Sequence, residues 1–136
     1  MSAELSQAIK RRVGTESSAE VAARAVRLCD ELSVHFARLV GDLGVRTLLA
    51  RSAVLASARF HWLANTIPRA ARADDSWTAL STALSLQDPR EAVEGFSDLV
   101  TTFVGLLSKM IGEGLVARLL HEVWPELFLH AAEEIP

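Results

Sequence analysis

Four histidines, one cysteine and three tryptophans carry the most specific chemistry in this 136-residue sequence, so their spacing is where a function would first show. His121-Glu122 opens like the zinc motif HExxH, whose second histidine must fall one helical turn later on the same face. That position is Pro125, so the motif is broken. His130 could approach His121 only around the proline bend, with Glu126 as a third ligand, and no fourth fixed ligand is in view. No serine stands in a Gly-x-Ser-x-Gly elbow or a Ser-x-x-Lys pattern, so nucleophilic catalysis has no anchor. Gly112-Glu113-Gly114 is too short and too acidic to cradle a phosphate. Cys29, with Val26, Leu28 and Leu32 around it, reads as a buried small hydrophobe, and a single cysteine can form neither an internal disulfide nor a cysteine-based zinc site.

Arg46, Arg51 and Arg59 lie on one predicted helix with no carboxylate between Leu43 and Thr66, and Arg59-Phe60-His61-Trp62 adds two rings near its end. This is either a patch for an anion or acidic partner, or a solvated face whose arginine stems cover apolar surface. Trp124-Pro125-Glu126-Leu127-Phe128-Leu129 is apolar almost all round, more than a short terminal helix can bury against one neighbour. Trp124, Leu127 and Phe128 are therefore candidate interaction anchors, the other reading being a plug for the core. A tryptophan-lined cavity of Trp62, Trp77 and Trp124 would instead suit a small molecule. No cofactor is implied.

The elements that must position these residues read as helices. Hydrophobic residues make up 50% of the chain and charged ones 23%, enough for one well-filled core, and the length suits a single all-helical domain over residues 1–136. Fourteen basic against 17 acidic residues give a net charge of -3, which disfavours nucleic acid. The longest nearly apolar stretch, Leu99 to Leu107, is about half the roughly 20 residues a spanning helix needs, so no membrane segment is expected. The first residues lack the cationic start and apolar run of a secretory signal, and with the lone cysteine this sets a cytoplasmic expectation.

Apolar spacings of three and four predict a short helix over about 2–13, then helices near 18–40, 42–64, 89–111 and 113–123, with a short one from Asp75 to about Leu86. Ser17 or Ser18 can cap the second, and Asp88 followed by Pro89 is an N-cap with proline at the first helical position. Gly14, Gly41 and Gly112 close helices. Asn65 to Asp75 is the clearest loop, and a final turn or two runs from Pro125 to about Glu134.

Displaced by 71 positions, the chain resembles itself. Arg38-Leu39-Val40-Gly41-Asp42 falls on Lys109-Met110-Ile111-Gly112-Glu113, and Val45, Leu48 and Leu49 fall on Val116, Leu119 and Leu120. The caps Ser17 and Asp88 coincide as well. Periodicity alone aligns apolar positions, but not an ungapped basic, apolar, apolar, Gly, acidic run. The expectation is an all-α bundle of about five to six helices built on two duplicated helix-Gly-helix hairpins.

Two resemblances bear on function. His35 followed by Arg38 and Gly41 is similar to the phosphoacceptor helix of histidine phosphotransfer domains, which carries its glycine four positions after the histidine. Here Leu39 stands there instead, filling the room a receiver partner needs. The stretches Gly44 to Ser52 and Ile111 to Pro125 resemble segments of small bacterial helical proteins, which implies a bacterial origin and carries over no activity and no functional residue. The expected function is a non-enzymatic interaction or regulatory module acting by helix-to-helix contact, with a protein partner and homodimerisation. A small-molecule-sensing helical domain and a phosphotransfer-like domain are the alternatives.

Overall fold

Ser17 is extended (φ -154°, ψ 154°) and its hydroxyl accepts the Glu20 amide, satisfying a donor that the first helical turn leaves open. Asp88 does the same for Arg90, with Pro89 next in line. Between and beyond these caps the computed structural model describes residues 2–14, 16–67 and 77–125. Among them the chain forms α1 (Ser2–Val13), α2 (Ser18–Ala56), a 3-10 turn (His61–Leu63), α3 (Thr78–Ser85), α4 (Pro89–Ile111) and α5 (Glu113–Val123), with no strand. Asp75 and the loop from Pro68 lie outside the described residues, as does the final segment after Pro125.

α2 is two helices joined at a corner. Gly41 inside it adopts φ 79°, ψ 162°, which no helix contains. A straight helix would carry its C-terminal end roughly 30 Å beyond Phe36. Instead Phe36 meets Phe103 of α4 edge-on at 6.0 Å, while Arg59 reaches Asp98, which precedes Phe103 on α4. The arm after Gly41 therefore runs back alongside the arm before it. Gly112, between α4 and α5, has nearly the same backbone, φ 94° and ψ 144°. Thus the two predicted helix-Gly-helix units share one corner conformation.

The first arms of the two units run in the same direction. Ser18 Oγ donates to the Gln87 carbonyl at one end, and the Phe36 and Phe103 rings touch further along. α1 lies antiparallel on α4, through Ser6 Oγ to Ser97 Oγ (2.7 Å) and Lys10 to Glu94 (3.0 Å). Leu28, Leu32, Phe36, Phe96, Leu99 and Phe103 form the buried centre, sealed by Ile9 of α1, Leu80 and Leu84 of α3 and Leu120 of α5.

The second arm of α2 stops at Ala56, short of the expected Ala64. Turns carry residues 57–59, and the 3-10 turn then delivers Leu63 to the core. Trp62, one residue earlier, sets its ring against α4, where a Cβ on Gly95 would stand 2.3 Å from Trp62 Cζ2. Gly95→Ala is expected to destabilise by up to about 2 kcal/mol in urea denaturation, an overpacking cost of roughly 1–3 kcal/mol set against a helix-propensity gain of roughly 1. In a Trp62→Leu background the same change should be neutral or stabilising. A cost that persists there would mean Trp62 is not what makes Gly95 necessary.

Candidate functional site

Asp30 and Glu31 are adjacent on the first arm of α2 and face different neighbours. Trp77, just before α3, donates its indole N–H to Asp30 Oδ1, and Arg46 lies over its ring at 5.0 Å. Trp124, after α5, donates to Glu31 Oε2 at 2.7 Å, and Arg12 of α1 lies over that ring at 5.8 Å while bonding both Glu31 oxygens at 2.8 Å. Each indole thus has a carboxylate on its edge and a guanidinium on its face, the two places a tryptophan quadrupole and N–H favour. The arrangement ties α1, α3 and α5 to α2. Chemically it positions helices, with both carboxylates already engaged.

Trp124 is 1% exposed, so of its two expected roles the structure shows the core plug. As an anchor for an external partner it is corrected: Glu31 and Arg12, distant in sequence, hold the ring inside. Leu127 and Phe128 lie outside the described residues. The tryptophan-lined cavity is corrected as well. Trp77 is buried in the polar clamp, and Trp62 is half-buried against Gly95 with its N–H 3.2 Å from Glu91.

The histidine candidates are dispersed. His35 is half-buried rather than presented on the surface, and His121 and Glu122 are exposed near the end of α5. His130 and Glu126 lie outside the described residues. Among the described residues no group of three or more His, Cys, Asp and Glu side chains could hold a metal ion. The arginine patch divides too: Arg46 covers Trp77, Arg59 pairs with Asp98 at 2.7 Å, and Arg51 faces solvent.

Cys29 is buried in the core, as read from its neighbours. Burial pushes its thiol well above the ordinary range, Asp30 adds to the rise, and Arg46 opposes it. The folded state therefore keeps its proton where an unfolded chain loses it. This contribution to stability is complete below about pH 8.5 and is lost progressively as pH rises past that value. At pH 8 a thiol reagent is expected to leave native Cys29 unmodified and to label it fully in denaturant. Rapid labelling of the native protein would contradict the burial.

Two surface features remain. A cleft of about 400 Å³ is bordered by Leu5 of α1, Thr101, Val104, Gly105, Ser108 and Lys109 of α4, and Glu113 of α5. Its hydroxyls are turned onto their own helix, Ser108 Oγ to the Val104 carbonyl at 2.8 Å and Thr101 Oγ1 to the Asp98 carbonyl at 3.1 Å. The second feature surrounds the two glycine corners, where large apolar side chains face water: Leu39 at 45% and Leu43 at 70% beside Gly41, Met110 at 60% and Leu115 at 38% beside Gly112. Sequence reasoning placed these residues correctly on helices and missed their exposure. The available signal was the crowding of apolar residues on both sides of each glycine, more than one helix stripe can bury.

No protein-family model, curated protein or solved structure matches the chain. Among the described helices none is long and apolar enough to cross a membrane.

Proposed function

We propose that this chain is a non-enzymatic helical module that binds a protein by helix-to-helix contact. The observation that carries this is the apolar surface at the glycine corners. Single exposed apolar residues are ordinary, as Val34, Val54, Leu55 and Leu86 are elsewhere on the chain, but Leu39, Leu43, Met110 and Leu115 all stand within three residues of one of two glycines at the same end of the bundle. They sit on helices, so they are displayed on rigid backbone and lose little freedom when a partner covers them. The anchors proposed for this function are accordingly the corner residues, in place of Trp124.

Immobilised wild-type protein and a Leu43→Asp, Met110→Asp variant, both checked for helix content by circular dichroism, test the proposal in lysate of the source organism. Proteins held by the wild type and released by the variant support it. Identical captured sets, or none, overturn it.

A second reading rests on the cleft, whose volume falls in the range of small-molecule sites, roughly 300–1,000 Å³. It makes the chain a sensor. Gly105 lines the cleft with open space at its Cβ position, so Gly105→Phe fills the site without a backbone clash. A metabolite that raises the Tm of the wild type and not of Gly105→Phe would favour the sensor; no shift across the panel would remove it.

A further inference from the structure

We infer that the end of the bundle carrying Gly41 and Gly112 is where two copies of this chain meet about a two-fold axis. This rests on the proposed interaction function and names the partner. Ser18 is bonded to Gln87 and Phe36 touches Phe103, so the helices leading into the two glycines run side by side and reach the same end. That end presents Leu39, Leu43, Met110 and Leu115 to solvent.

The charges around these four residues decide the occupant. Arg38 and Asp42 flank the first corner, Lys109 and Glu113 the second, and all four are exposed. Among the described residues none of them forms an ion pair, whereas Lys10, Arg12, Arg24 and Arg59 each do. These four flanking residues, two cations and two carboxylates, balance one another in charge. An acidic peptide, a nucleic acid or an anionic lipid surface would meet two carboxylates along with the cations. A second copy meets the opposite case, because an isologous contact sets residue i against j and j against i, so a patch with equal numbers of both signs can pair with itself throughout.

The corner geometry supports the same partner. Both glycines turn the chain between helices without an intervening loop, with φ 79° and 94°, so the side chains that carry the rim charges start from helical backbone. Four apolar side chains form the centre, which suits a weak interface of less than roughly 1,200 Å²; dissociation on the order of 10–100 µM is expected for a dimer of that class.

Sedimentation velocity from about 1 to 500 µM, spanning that range, reads the result. One variant, Arg38→Glu with Lys109→Glu, makes the rim wholly acidic. Another, Asp42→Lys with Glu113→Lys, makes it wholly basic. The wild type is expected to dimerise with concentration, each variant alone to dimerise at least tenfold more weakly, and their equimolar mixture to recover the wild-type range as a heterodimer. Arg27→Glu with Arg90→Glu, equal in charge change and away from this end, should leave the wild-type dimer unaltered. A wild type that stays monomeric overturns the inference, as does a dimer indifferent to the corner variants, a mixture that fails to recover, or a control that behaves like them. If the wild type is monomeric yet loses captured proteins on Leu43→Asp, Met110→Asp, the interaction function stands and the second copy is excluded.

Discussion

Trp124→Ala is expected to destabilise the protein by about 3–5 kcal/mol, the largest single effect among these substitutions. The ring is fully buried where α5 ends, and it closes the core between α1, α2 and α5. Truncation removes its packing and its hydrogen bond together. Glu31 is not stranded by the change, because Arg12 still bonds both of its oxygens and the pair is partly solvated. The cost is therefore mostly packing. Trp124→Phe separates the two contributions: it keeps most of the ring volume and loses the N–H, for an expected cost of about 1–2 kcal/mol. Urea denaturation measures both. A Trp124→Ala cost below about 1 kcal/mol would be far under the usual range for a buried tryptophan and would contradict the core position.

The glycine corners carry the second large effect. Gly41 and Gly112 combine positive φ with ψ near 150°, a region essentially closed to residues bearing a Cβ. A Cβ built on either one meets nothing within 4 Å, so alanine there tests backbone strain free of any clash. Gly41→Ala and Gly112→Ala are each expected to cost about 1–3 kcal/mol, and the double variant close to the sum. Gly105 supplies the opposite sign. It lies within α4, its φ is not positive and its Cβ position is open, so Gly105→Ala should stabilise by roughly 0.5–1 kcal/mol through helix propensity alone. If both corner variants are neutral, the shared corner conformation has no energetic role.

Most of the helical framework was legible because caps and periodicity are local. Ser17, Asp88-Pro89 and the positive-φ glycines at 14, 41 and 112 each act within a few residues of themselves. The end of α2 was not legible. Ala56, Phe60 and Leu63 fall at i, i+4 and i+7, yet a turn followed by a 3-10 segment buries Ala56 and Leu63 equally well. Spacing cannot separate the two. The fate of Trp124 was hidden for another reason: an apolar tail looks the same whether it plugs the core or greets a partner, and what decides it is Glu31, 93 residues earlier. Asp30 and Trp77 are likewise 47 residues apart. Pairings of that length leave no local trace. The internal echo, by contrast, rested on one ungapped pentapeptide, and the corners it marks have backbone angles within 20° of each other.

The central claim is that the glycine-corner end of this bundle is a protein-binding surface. A photo-reactive amino acid placed singly at Leu43, Met110 or Arg27 in living cells tests it most directly, since all three side chains are exposed and only the first two lie at that end. The expected result is a discrete protein adduct from positions 43 and 110, whether with a second copy or another chain, and none from position 27. No adduct at 43 or 110, or the same adduct from position 27, would contradict the claim.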